Sequence, residues 1–558
     1  MTASAPSCTL LPPKGTQARQ LALAFITLAP LAIGVLAMML GQDTNWDLRN
    51  YHWYNAWALW TGRYGSGIDF LPSQAQFFHN PTLDVPFYLL ATALPLQLAF
   101  FILSCVQGLN ASLLFMLAHL SLDMPDAKRK VMACAALATL GMLGGTGISE
   151  LGTVFYDNVT SLGIFLSALL VILNFEKITT APYKKIAFLT LLFGIPAGLA
   201  AGLKLTSVSF SIGLCFAVLV TPQDRWRGFW LAFFFGCGIT LGFLAGYAHW
   251  GWYLFTHFDS PTFPYFNSIF QAPLLPPENF QDFRVPAEWR WAVPYRMAVN
   301  PLLVGEIIWR DWRVPALYTL VWVAVTGVLV SGRRGAGGSL AHDTPARFLL
   351  WMTGGAYVVW VTLQAVYRYI LPIEMLSPLL IVFCINLLPL ERRTRATFAM
   401  ALLAALALTI KPGDWGRRDG WSHAIADITA PVVRENTMAL MTTNDAYAFL
   451  LPRFPPETAF LRIHSRAFHS DRDFGINALI KSKIDAHTGP LMAFYPARRQ
   501  DITADALRDY GLRITGTCQD IKDKTYTPLL DKRNAGDEYP PLYSLCPVSK
   551  ASAPRKKR

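Results

Sequence analysis

Charge is scarce in this sequence. Asp, Glu, Lys and Arg together make up 15% of its 558 residues, against 53% hydrophobic and 13% aromatic residues, and the mean hydropathy is +0.33. Ordinary soluble globular proteins are less apolar, so a membrane protein is the first expectation. The N-terminal apolar segment lacks a small-residue cleavage site leading into a soluble domain, which argues for a retained first helix acting as signal anchor. Metal-ligand spacing is missing among His52, His79, His249 and His257, so these histidines imply no metal site. No convincing internal repeat of the transporter kind occurs, and no run of membrane-spanning length follows Lys411. The net charge of +12 does not imply nucleic acid, because the basic clusters lie between apolar segments, as DAKRK (126–130), YKK (183–185), DRWR (224–227), GRR (332–334) and ERRTR (391–395). That distribution is the positive-inside pattern. The tail PRKKR reads as a solvated end.

What is present is a series of apolar runs. Helices are expected at about 20–41, 97–122, 130–148, 154–175, 186–203, 206–221, 228–250, 315–331, 347–366, 370–388 and 396–410, each near the roughly 20 residues a span requires. The segment VPFYLLATALP (85–95) is too short to cross and fits a re-entrant or surface-lying helix. With the N-terminus in the cytoplasm, every basic cluster falls on the cytoplasmic side. The expectation is therefore an all-α polytopic protein of the bacterial inner membrane with about eleven transmembrane helices over residues 1–410. Residues 411–558 would form an extracytoplasmic, periplasmic α/β domain. Five cysteines lie in apolar segments, where a thiol packs as a small hydrophobe, and Cys8 sits in the N-terminal tail. Cys518 and Cys546 are the two in the exported part, where an oxidising exterior would permit a bridge.

The outer side then receives loops 42–96 and 251–314, a second loop near 148–156, and the turns at Lys204 and at YRY (367–369). Long loops in compact architecture are usually functional. The stretch DTNWDLRNYHWYNAWALWTGR (43–63) carries Trp46, Trp53, Trp57 and Trp60 at helical spacings, a stripe suited to anchoring a helix at the headgroup level. Asp43 and Asp47 lie one turn apart on a neighbouring face. Thr44 and Asp47 resemble a capping box. Alternatively, Asp47 is a base whose partial burial brings its pKa toward the working range. Both readings stay open. Lys204 interrupts an apolar stretch, and Arg368, framed by Tyr367 and Tyr369, lies at the outer end of another; both suit binding of a lipid phosphate, with snorkelling as the alternative. Glu374, downstream of Arg368, is a candidate partner for it. Arg284 and Arg290 in the long loop could contact phosphate or acceptor, whereas SPTFPYFN (260–267) reads as an architectural wedge.

An acid directly after the first membrane helix, followed by an aromatic interfacial helix containing NAWALWTGR, resembles the GT-C superfamily of integral-membrane glycosyltransferases. FFHNPTLDVPFY (77–88), GLAAGLKLTS (198–207), SPTFPYFNSIF (260–270) and YRYILPIEML (367–376) resemble uncharacterised bacterial members. The resemblance covers the membrane portion and implies a GT-C-like fold and transfer of a sugar from a polyprenyl-phosphate carrier. It implies that Asp47, or Asp43 in its place, is the first-loop acid, although the superfamily's acids are often adjacent and here stand four residues apart. It further implies that Glu150 and Asp157 assist the acceptor or a metal; solvated charge and helix-terminus acid are their bland alternatives. Outer segments contain no Walker loop, dinucleotide fingerprint or G-x-S-x-G elbow, which favours a lipid-carried donor over a nucleotide sugar. The expected partners are a polyprenyl-phosphate-linked sugar, membrane lipid and a glycan, lipid or protein acceptor, with a divalent metal left open. A transporter or flippase for a lipid-linked anion is the alternative of a different class. An O-antigen ligase or polymerase, relying on Arg284, Arg290 and Arg296, is the second enzyme alternative.

Overall fold

The computed structural model describes residues 10–279, 285–331, 338–468, 474–525 and 542–550. Cys8, Arg284, the basic cluster 332–334 and the C-terminal PRKKR run lie outside the described residues. All eleven expected apolar segments are helical: Gln17–Leu40, Leu96–Ser121, Ala127–Met142, Asp157–Leu173, Tyr183–Leu203, Val208–Val220, Arg225–Phe258, Arg313–Ser331, Asp343–Leu363, Leu371–Asn386 and Arg392–Ala407. Capping side chains start several of them. Thr16 accepts from the Arg19 amide, Asp126 from that of Arg129, and Asp224 from those of Trp226 and Arg227, satisfying otherwise orphaned helix donors. Among the described residues, seven helices are long and apolar enough to cross a membrane, and the shorter Asp157–Leu173 and Leu205–Val220 are apolar as well. The chain is thus a mostly helical membrane protein with a small C-terminal sheet. Val85–Ala93 is a separate short helix, as expected.

Two boundaries differ clearly: the helix expected at 130–148 ends at Met142, with Gly145–Glu150 a separate short helix, and the one expected at 228–250 runs on. Arg225–Phe258 runs eight residues past the expected end, because GWYLFTHF (251–258) contains no proline and its single Gly251 is tolerated; the helix stops only where Asp259 turns left-handed, φ 56°, before Pro261. This helix packs against Tyr183–Leu203 through two glycine ladders, Gly194, Gly198 and Gly202 facing Gly238, Gly242 and Gly246. A Cβ on Gly198 would lie 2.0 Å from the Ile239 carbonyl oxygen, and one on Gly238 1.9 Å from that of Leu191. Small residues at this crossing let the two backbones touch.

Basic segments meet at one end of the helical body. Arg227 donates to the Ile178 and Ala181 carbonyls at 3.3 and 3.1 Å, Arg392 to that of Asp123 at 2.7 Å, and Arg347 to that of Thr221. The other end carries the first long loop and the sheet. Strands β1 (Gln42–Asp43) and β2 (Arg417–Arg418) pair antiparallel there. β3 (Met438–Met441), β4 (Ala459–Arg462), β5 (Leu491–Pro496), β6 (Leu512–Ile514), β7 (Gln519–Lys522) and β8 (Leu542–Lys550) form one sheet in the order β4-β3-β5-β8-β6, with β7 also on β8. β3 is parallel to β4 and β5, and helices Gly475–Ala486 and Gln500–Asp509 complete an α/β unit. Cys518 and Cys546 are joined by a disulfide.

This unit does not stand apart from the first loop. Tyr54, Phe70 and Phe77 share one apolar core with Leu440, Phe449 and Phe460. Phe70 also extends the sheet: its amide donates to the Phe460 carbonyl at 2.8 Å and its carbonyl accepts from the Arg462 amide at 3.1 Å. Buried Arg63 and Asp69 are paired, and Arg63 donates to the Pro456 and Thr458 carbonyls at 2.7 and 2.6 Å.

Candidate functional site

Within the first loop, the expected tryptophan anchor is corrected. Trp53 and Trp57 are 8% and 9% exposed and face the protein, leaving Trp60, at 61%, as the outward ring of the helix Trp53–Trp60. Trp53 packs against Tyr88, and Trp57 beneath the Arg63 guanidinium. Burying aromatic surface against neighbouring rings outweighs laying the stripe on lipid. The capping box is also absent. The Thr44 hydroxyl donates to the Gly416 carbonyl at 2.8 Å, and it is Asn45 Oδ1 that accepts from the Leu48 amide, at 2.7 Å. Asp47 makes no cap. Its carboxylate, 15% exposed, instead meets Arg368 Nη1 at 3.0 Å and accepts from the Tyr51 hydroxyl at 3.1 Å.

Asp43 is fully buried and accepts from Asn45 and from the Val154 amide at 3.1 Å, tying the first loop to the second. Burial pushes its carboxyl up to about 6, against the lowering pull of Arg417. Glu150 is buried with neither carboxylate oxygen hydrogen-bonded, and burial, reinforced by Asp157, holds it well above the usual carboxylate range.

Lys204 stands where the helix Tyr183–Leu203 ends, in extended backbone (φ −144°, ψ 105°) before the turn Leu205–Ser207. Its Nζ lies 2.7 Å from Asp157 and donates to the Phe155 carbonyl at 2.6 Å. Tyr156, φ 65°, takes a left-handed conformation uncommon for an aromatic residue. The turn at Tyr367–Ile370 carries Arg368, whose guanidinium lies over the rings of Phe155, Tyr369 and Trp415 at 4.6, 5.3 and 5.8 Å. Aromatic faces stabilise a cation here without neutralising it.

These elements line a cavity of about 350 Å³ whose walls combine Lys204, Arg368, Tyr369, His52, His79 and Asp84 with apolar residues including Leu203, Phe243 and Leu363. His52 Nδ1 is 2.7 Å from Asp84 Oδ1, and His79 Nε2 is 2.8 Å from the Tyr265 hydroxyl. Burial lowers His52 to about 3 and His79 to about 4, so both rings are neutral. Asp84 is pushed well above the usual carboxylate range by burial, against the opposing pull of Tyr156 and Lys204.

Of the candidates from sequence, Asp47, Asp157, Lys204, Arg368 and Tyr369 therefore come together. Tyr367 turns away, its ring 4.0 Å from that of Trp309. Arg290, on the turn Ala287–Ala292, does not line the cavity, Arg296 lies over the Trp289 ring, and Arg284 is outside the described residues. Glu374 does not pair with Arg368. It accepts from the Gly147 amide at 2.8 Å and lies 3.7 Å from Arg313, a fully buried cation also bound to Asp311, so a nearer partner claims it. Sequence reasoning missed the His52–Asp84 and His79–Tyr265 pairs, which no fixed spacing announces. Among the described residues, no group of three or more His, Cys, Asp or Glu side chains gathers as a metal-binding set. Comparison with protein-family models, curated proteins and solved structures finds no match for the chain.

Proposed function

We propose that the protein is a membrane glycosyltransferase that moves a sugar from a polyprenyl-phosphate-linked donor to an acceptor at the outer face of the inner membrane. In this reading the eleven helices form a GT-C-like body, the basic end faces the cytoplasm, and the sheet-bearing end faces outward. The observation that carries it is the cavity that Lys204 and Arg368 line together with apolar residues such as Leu203, Phe243 and Leu363, a combination suited to a lipid with an anionic head. Asp157 pairs with Lys204, and Asp47 with Arg368.

Chemistry follows from an exchange of these partners. A donor phosphate bound at Arg368 competes with Asp47 for the guanidinium and frees the carboxylate. Asp47 then takes the proton of the acceptor hydroxyl as its oxygen attacks the anomeric carbon with inversion. The bond from that carbon to the phosphate oxygen breaks, the electron pair stays on the phosphate, and Arg368 and Lys204 stabilise the added charge.

The test is sugar transfer from membrane lipid extracts by the purified full chain. Asp47→Asn should lower kcat by roughly 10²–10⁴-fold, as loss of a positioned base does, and Arg368→Ala by at least about 10²-fold. Arg290→Ala should leave transfer unchanged. Full activity in Asp47→Asn would overturn the assignment of the base, and full activity in both Arg368→Ala and Lys204→Met would overturn the phosphate site.

A further inference from the structure

His52 has an unused hydrogen-bonding atom. Its ring is buried in the cavity wall, with Nδ1 2.7 Å from Asp84 and Nε2 without any partner. The ring is fixed in place by Tyr51 and Tyr156, at centroid distances of 4.0 and 5.4 Å. Among the other residues lining the cavity, Arg368 has its Nε buried without a partner, and Lys204 contributes an ammonium. Unpaired buried polar groups are costly and rare. Both atoms belong to residues that line the cavity with Lys204, surroundings suited to an acceptor with negative charge.

We infer that His52 binds the phosphate directly: Nε2–H donates to a phosphate oxygen seated between Lys204 and Arg368, while the neutral Asp84 carboxyl donates to Nδ1 and so keeps the proton on Nε2. Asp84 is thus a positioning residue. The tautomer follows from the surroundings. A carboxylate at Asp84 would draw the proton to Nδ1 and leave a lone pair on Nε2, which repels a phosphate oxygen. Burial of both groups disfavours the ion pair of carboxylate and imidazolium, and of the two arrangements with a neutral ring, the one with a protonated Asp84 presents a donor at Nε2. This inference rests on the phosphate site of the proposed function, and adds a residue and a protonation state to it.

The test measures binding of farnesyl phosphate to the purified full chain in detergent, with inorganic phosphate and farnesol as separate arms. His52→Ala should weaken farnesyl phosphate about tenfold or more, the scale of one hydrogen bond to a charged group, and leave farnesol binding unchanged. His52→Gln, whose amide can reach the Nε2 position, should fall between. Asp84→Asn keeps a donor toward Nδ1 and should bind as wild type, whereas Asp84→Leu should bind as weakly as His52→Ala. A stronger hold on farnesyl phosphate than on inorganic phosphate identifies a lipid headgroup, and equal hold identifies the free ion; the His52 dependence is expected either way. Wild-type affinity in both His52 variants, with Lys204→Met and Arg368→Ala impaired, overturns the role of His52 and leaves the phosphate site standing. Asp84→Asn as weak as Asp84→Leu overturns the neutral carboxyl. Wild-type affinity in Lys204→Met and Arg368→Ala removes the phosphate site itself. Thermal unfolding accompanies each variant, and if His52→Ala does not fold, His52→Gln and the two Asp84 variants decide.

Discussion

Two aspartates four residues apart have been given different work by their surroundings. Asp47 faces Arg368 at the cavity, while Asp43 is sealed beneath the pairing of β1 with β2, where its carboxyl rises to about 6. A carboxyl raised in the folded state binds its proton more tightly there than in the unfolded chain. Its stabilising contribution is therefore complete below the ordinary value of 3.8 and is lost as pH rises through about 6. Across that window the loss amounts to about 3 kcal/mol, at 1.36 kcal/mol per pH unit. His52 and His79, held neutral by burial, slope the other way, because they resist protonation as pH falls. Comparison with Asp43→Asn isolates the aspartate. Wild type should lose melting temperature relative to Asp43→Asn between pH 4 and 6, with the difference constant above about pH 7; a difference that does not change with pH would show that Asp43 is not raised. The cations of this site were legible because Lys204 interrupts an apolar stretch and Arg368 ends one, and the acids because they lie in loops next to apolar helices. His52 and Asp84, 32 positions apart, were not, since only the fold brings them together, and Glu374 was assigned to Arg368 because sequence distance hides the nearer Arg313.

At the scale of elements, hydropathy found every long helix because burial in lipid or protein demands the same apolar composition. It found the ends less well, and it did not show which helices touch. The crossing of Tyr183–Leu203 with Arg225–Phe258 depends on six glycines, and Asn80 of the cavity wall donates to the Gly202 and Gly246 carbonyls at 3.0 and 2.8 Å. The ladder therefore positions the site as well as the helices. Gly198→Ile would drive side-chain carbon into the Ile239 carbonyl. The backbones must separate, with a cost of about 1–3 kcal/mol and a displaced Asn80. The expected result is a lower unfolding temperature in detergent together with weaker farnesyl phosphate binding. Gly354→Ala, in the helix Asp343–Leu363, is the control: a Cβ there meets nothing within 4 Å, so stability should hold or rise slightly through better helix propensity. Equal behaviour of the two variants would mean that close approach at the ladder does not hold the site.

For the whole molecule, composition divides the chain at residue 411, yet the fold buries the division. Hydropathy separates what meets lipid from what meets water and is blind to two water-facing segments sharing a core. The first loop supplies His52, His79 and Asp84 to the cavity, and the C-terminal sheet holds that loop from behind without lining the cavity itself. Arg462 on β4 is one such link: fully buried, it donates twice to the Pro72 carbonyl of the first loop, at 2.9 and 2.7 Å, and to that of Thr443 within its own unit. Arg462→Leu leaves these buried acceptors unsatisfied, each costing about 1–3 kcal/mol. The expected consequence is looser docking: faster protease cleavage between residues 411 and 437 and weaker farnesyl phosphate binding, although no atom at the cavity has changed. Cys518→Ser with Cys546→Ser makes the contrasting case. That bridge closes a separation of 28 residues at the β7 and β8 side of the sheet, so its loss should cost about 2–4 kcal/mol of stability while the remaining folded protein binds ligand normally. If Arg462→Leu binds normally too, Arg462 is not what holds the loop, and the Phe70 pairing, the Arg63 contacts and the shared apolar core suffice.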